Sequence, residues 1–151
     1  MVCIAQPYPD QLAAMRDEPA LVNPAIEELL RYLSVLHHSI PRVTTADVEI
    51  CGVTVSAGEL VLASLSAANR DPAMFDDPDI LDNNRDAGSH LAFGHGVHRC
   101  IGASLARMEL RIALPALLRR FQRLALAEDF ESVKYHSLHL IYSLQSLAVR
   151  W

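Results

Sequence analysis

The segment His90-Leu-Ala-Phe93-Gly94-His95-Gly96-Val97-His98-Arg99-Cys100-Ile101-Gly102 carries more chemistry than any other part of the chain. Gly94 and Gly96, two glycines within three residues, call for a tight and unusual backbone. Cys100 stands directly before a long apolar pattern of helical period, which predicts a helix over Ile101–Phe121. The first N–H groups of such a helix have no intrahelical partner, and its dipole is positive at that end. Both effects favour an anionic sulfur over a thiol. Arg99 and His98 add positive charge beside it, and Gly102 leaves room for a flat ligand at the first helical turn. A loop that offers a thiolate to a planar cofactor has this composition. The competing reading is a buried structural cysteine beside a helix cap, and for an isolated cysteine before a helix that reading would prevail.

Downstream of the cysteine, two apolar stripes run along the helix. One is Ile101, Leu105, Met108 and Ile112; the other is Leu110, Leu114, Leu117 and Phe121. Two stripes predict a central helix buried on two sides. Pro115 is expected to kink it near Arg111. The tail from His139 to Trp151 alternates enough for one or two closing strands.

Upstream, Asn69–Ser89 is rich in Asp, Asn and Pro with little periodicity, and reads as a long loop; unstructured loops of this length are often functional. Before it, Val43, Val48, Ile50, Val53 and Val55 alternate with polar residues and are broken by Gly52 and Gly58. They predict short strands and hairpin turns, with a further strand over Leu60–Leu65. Nearer the start, Asn23 is an N-cap candidate with Pro24 at the first helical position. Ile26, Leu29, Leu30 and Leu33 then form one apolar stripe. A shorter helix is expected over Asp10–Arg16. The fold class is therefore mixed α+β.

Composition narrows the function classes. The chain has 151 residues, 51% hydrophobic and 21% charged, with a formal net charge of -5. That is globular composition with enough length for a real core. No run of one sign suggests a nucleic-acid surface. Cys3, Cys51 and Cys100 are odd in number, irregular in spacing and without a C-x-x-C pair. Neither a disulfide framework nor a zinc site is expected, and a reducing cytoplasm is the simpler location. No signal peptide and no membrane span is expected.

Phe93, Gly96, His98, Cys100 and Gly102 match each defining position of the cysteine-loop signature of the cytochrome P450 family, and the chain resembles bacterial, actinobacterial-type members. Other segments resemble the family in the right order. Glu28-Leu29-Leu30-Arg31 resembles its E-x-x-R; Ala68-Asn69-Arg70-Asp71-Pro72 and Leu105-Ala106-Arg107-Met108-Glu109-Leu110 are also similar. So is the ending Ser146–Trp151, although Ala148 stands where a proline is usual. The resemblance covers residues 10–151, leaving 1–9 as a non-matching N-terminal segment.

The resemblance implies the C-terminal portion of the cytochrome P450 fold, with haem b as cofactor unless the chain has lost it. It assigns Cys100 as the iron ligand and Phe93 as the ring packed beneath the haem next to the sulfur. His98 and Arg42 become contacts to haem propionates. Glu28, Arg31 and Arg85 form a structural group, one carboxylate shared by two guanidiniums, that fastens the loop to the helix. Taken without the family, Glu28 and Arg31 would be a surface ion pair of little worth, and Arg42 a strand-edge residue in water. His37 and His38 are weak substrate candidates, and so is His139–Leu144. Family members are more than twice this length. The portion without a counterpart here holds the distal helix with its acid–alcohol proton relay and much of the substrate site, so the chain is expected to be truncated before that helix.

Three functions follow as alternatives. The first is a haem-thiolate, monooxygenase-like oxidoreductase acting on a small molecule with a ferredoxin-type redox partner. The second is a haem-free enzyme repurposed for a cyclisation or isomerisation in a biosynthetic pathway. The third is a non-catalytic remnant or binding module. The apolar stripes of the last helix imply a homo-oligomer or a complementing polypeptide.

Overall fold

The computed structural model describes residues 8–136, 141 and 143–151. Helix α1 covers Pro9–Asp17 and α2 covers Val22–Leu33. Strands β1 (Arg42–Val43), β2 (Val48–Ile50), β3 (Val53–Val55) and β4 (Leu60–Val61) follow, then the short helix α3 (Leu65–Ala68). A meander from Asn69 leads to a 3₁₀ turn at Gly96–His98 and the long helix α4 (Ala103–Arg120). Strands β5 (Ala125–Leu126) and β6 (Val149–Arg150) close the chain.

The main core is helical. Met15 of α1, Ala25, Ile26 and Leu29 of α2, Leu114 and Leu118 of α4, and Leu81 of the meander bury one another. Burying each large side chain contributes roughly 1.5–3 kcal/mol against leaving it in water. Among the described residues the strands form three separate antiparallel pairs, β1 with β4, β2 with β3, and β5 with β6. Arg42 lies opposite Val61, Val48 opposite Val55, and Ala125 opposite Arg150. The last pair covers a second cluster around Leu126 and Val133. No helix among the described residues is long and apolar enough to cross a membrane.

Several expectations are corrected. Asn23 does not cap α2, and Pro24 does not begin it. A 3₁₀ turn at Pro19–Leu21 runs directly into the helix, and its backbone bonds, Leu21 N to Glu18 O at 2.9 Å and Val22 N to Pro19 O, replace a side-chain cap. The strand expected over Leu60–Leu65 stops at Val61. Ser64 instead accepts the Ala67 N–H at 3.2 Å and caps α3. In α4 the first two expected residues belong to the turn before it.

The largest correction concerns the two stripes of α4. Of the inner stripe, Leu110 and Leu114 face α1 and α2; Leu118, and not the expected Leu117 or Phe121, joins them in the core. Ile101, Leu105, Met108 and Ile112 face outward and are 103%, 54%, 53% and 66% exposed. The helix packs on one side only, because among the described residues nothing lies on the other. Among the described residues of the tail, β6 is a strand and Ile141 and Leu144 form isolated bridges. Residues 137–140 and 142, which include His139, lie outside the described residues, as do residues 1–7.

Candidate functional site

The cysteine loop is built from turns. Gly94 and Gly96 have φ of +69° and +67°, the left-handed region that glycine enters without strain. Gly94 N donates to Leu91 O at 2.8 Å, and Arg99 N to Gly96 O at 3.1 Å. The Cys100 N–H is held by the Phe93 carbonyl at 2.8 Å, which closes the loop on itself. Gly102 is the N-cap residue of α4. The Cys100 sulfur belongs to an exposed, unpaired cysteine. A β carbon at Gly102 would lie 3.8 Å from this sulfur, in the space beside it. Val97 and Ile101, either side of it in sequence, are 95% and 103% exposed. The sulfur thus sits on a fixed backbone among apolar side chains open to an approaching ligand.

Behind the loop lies a polar group of the opposite character. Glu28 and Arg31 share a face of α2 and are fully buried. Arg31 Nε and Nη2 donate to the two Glu28 oxygens at 2.7 and 2.8 Å. Arg31 also donates to the carbonyls of Asn69 (2.7 Å), Pro78 (2.8 Å) and Ile80 (3.3 Å). Arg85 Nε reaches Glu28 Oε1 at 3.2 Å, and its remaining nitrogens hold the carbonyls of Asp76, Asp77 and Ile80. The Asp82 N–H adds a further bond to Glu28 at 3.1 Å. Among the described residues no buried side-chain nitrogen or oxygen lacks a partner. The structure therefore brings Glu28, Arg31 and Arg85 together as a buried knot between α2 and the meander, not as a surface pair.

Arg42 on β1 and His98 in the 3₁₀ turn are exposed, and neither side chain has a protein partner among the described residues. The rings of His37 and His38 meet edge to face, 6.3 Å apart. The His37 carbonyl accepts Leu65 N at 2.9 Å, and His38 bridges to Ser64, so this segment is tied to the start of α3.

Four residues that the sequence reading did not single out join these parts. Asn69 is fully buried; its side chain donates to Ser34 Oγ at 2.8 Å and accepts Leu91 N at 2.6 Å, linking the end of α2 to the cysteine loop. Glu27, His90 and Arg107 form a second charged cluster. The signal for it was present. Glu27 adjoins Glu28 in an amphipathic helix, so the two carboxylates must point to different sides, and the second needed cations of its own.

With this loop, knot and helix arrangement, the class is a mixed α+β scaffold that presents an exposed cysteine just before its long helix. The family model for cytochrome P450 matches residues 10–143, and the chain belongs to the cytochrome P450 family. Cytochrome P450 105C1 of a Streptomyces species is 51% identical over 95% of this chain. Nocardicin C N-oxygenase of Nocardia uniformis subsp. tsuyamanensis is 49% identical over the same share. The structure of the tirandamycin C-bound P450 monooxygenase TamI matches 98% of the chain with a TM-score of 0.94 and 43% identity. The chain spans little more than a third of these proteins: 38%, 36% and 37% of their lengths respectively.

Proposed function

We propose that this chain forms the thiolate-bearing wall of a haem monooxygenase site, with Cys100 as the axial ligand of the iron. The observation that carries this reading is the exposed Cys100, whose backbone N–H is held by the Phe93 carbonyl just before α4. Intact members of the family carry haem iron, and the donor set here fits that group. The loop offers one exposed cysteine sulfur, a glycine lies beside it, and the flanking side chains are apolar and open. When bound, haem iron supplies dioxygen activation, which thiolate donation favours.

The residues of the chain divide the remaining work. Cys100 would bind the iron, and Phe93 would pack next to the sulfur and hold its backbone. Gly96 gives the loop its turn, and Gly102 leaves the approach open. Arg42 and His98, without protein partners, would take the negative carboxylates of the cofactor. Glu28, Arg31 and Arg85 keep the meander in place and make no contact with Cys100 itself. His37 and His38 remain substrate candidates for a small molecule, with electrons supplied by a ferredoxin-type partner.

The test is the absorption spectrum of the reduced, carbon monoxide-treated protein after reconstitution with haemin. A thiolate-type Soret band that disappears in Cys100→Ala is expected. A colourless protein that takes up no haemin would sink the reading, and catalysis by such a protein would favour a cyclase or isomerase. The outward stripe of α4 supports a second polypeptide over it, of this chain or another. Light scattering that gives a strict monomer would count against a self-associated form.

A further inference from the structure

Glu27, His90 and Arg107 come from three separate parts of the chain and meet beside the cysteine loop. Arg107 Nε lies 2.8 and 3.0 Å from the two Glu27 oxygens, and Nη2 lies 2.8 Å from Oε2. The planar fork of arginine makes this a directional clamp, not a point-charge contact. Arg111 stands further off, 3.9 Å from the same carboxylate. On its other side the Arg107 guanidinium lies over the Phe93 ring, 4.8 Å from its centroid, within cation–π range. Glu27 thus fixes the cation that rests on Phe93.

His90 completes the cluster. Its side chain is 1% exposed. Nδ1 faces the Ala92 N–H at 3.1 Å and Nε2 faces Glu27 Oε2 at 3.1 Å. A backbone N–H only donates, so Nδ1 is the acceptor and the ring proton sits on Nε2, donated to the carboxylate. One neutral tautomer satisfies both bonds. The His90 ring lies 6.3 Å from that of Phe93. The Phe93 carbonyl in turn holds the Cys100 N–H at 2.8 Å.

We propose that Glu27, His90 and Arg107 are positioning residues that fix Phe93 and, through its carbonyl, the sulfur of Cys100. The proposal rests on the reading of Cys100 as the ligand. None of the three touches the sulfur. Their effect passes through Phe93, as outer partners orient ligands at other metal sites.

The experiment uses Glu27→Gln and Arg107→Gln in a background with Cys3 and Cys51 replaced by Ser, so that Cys100 is the sole thiol. Circular dichroism records the thermal midpoint of each variant. Well below that midpoint, the exchange rate of Cys100 with dithiodipyridine is measured without haem. The reduced carbon monoxide spectrum is recorded with haem. Both variants should raise the exchange rate severalfold and move part of the Soret band from the thiolate type to the neutral-thiol type. Should Arg107→Gln not fold, the isosteric Glu27→Gln carries the test. Folded variants with the parent's exchange rate and spectrum would overturn the proposal. If the parent itself shows no Cys100-dependent haem spectrum, the ligand reading fails, while the exchange rates still decide whether the cluster positions the sulfur.

Discussion

The Glu28 knot and the Cys100 loop lie in one scaffold and are built on opposite rules. In the knot every donor and acceptor is used and Glu28 and Arg31 are wholly out of water. The sulfur and His98 side chain of the loop, like the side chain of Arg42 on β1, have no partner among the described residues. A buried carboxylate between two guanidiniums is tolerable only when each is satisfied. An exposed sulfur is useful only when its backbone cannot drift. The pairing places rigidity where nothing reacts and leaves the reactive groups open.

Removing one member of the knot is the most severe way to break this contrast. Glu28→Gln strips the shared charge from two guanidiniums and should cost about 3–5 kcal/mol, read from urea unfolding. A loss near zero would mean that the knot does not hold the meander. Arg85→Ala should cost less, about 1–3 kcal/mol in the same assay, because Arg85 is 12% exposed and Arg31 still neutralises the carboxylate. A loss as large as that of Glu28→Gln would show the second guanidinium to be indispensable.

Titration sharpens the comparison at the boundary between the two regions. Burial pushes His90 below its ordinary value of 6.5, against the upward pull of Glu27. Burial pushes Glu27 up, but its hydrogen bonds to Arg107 and His90 together bring it below 4.5. Both groups hold fewer protons folded than unfolded. Stability from each is present above the unfolded value and declines as pH falls below it. The urea midpoint should therefore drop in two stages, below about pH 6.5 and again below about pH 4.5. His90→Gln should remove the first stage; its persistence in that variant would assign the transition elsewhere.

The smallest expected effect on stability lies in the loop and on β1. Cys100→Ala and Arg42→Ala are exposed substitutions and should shift stability by no more than about 0.5 kcal/mol. Each should nevertheless weaken haemin retention, measured by transfer to apomyoglobin. An Arg42→Ala variant that retains haemin like the parent would release Arg42 from its assigned role.

The contrast also explains how far the sequence could be read. The stripe of α2 was legible because helical period and burial coincide at Ile26 and Leu29. The contacts between Glu28 and Arg85 span 57 positions, which spacing alone does not reveal; a family resemblance suggested the partner. Ser64 was hidden because a hydroxyl that caps a helix looks like a polar residue of a strand. The outer face of α4 misled for a different reason. Apolar period reports which residues can be buried, and burial itself depends on what is packed there. The cluster at Glu27 was missed because His90 and Arg107 stand 63 and 80 positions from it, beyond what helical spacing relates.

Arg31 also constrains the order in which the chain assembles. Its carbonyl partners Asn69, Pro78 and Ile80 are 38, 47 and 49 positions away. Until they arrive, α2 cannot dehydrate the guanidinium without leaving donors unmet. The helix can form early, but its polar edge stays wet until the meander docks. Docking the meander and drying Arg31 are then a single cooperative event.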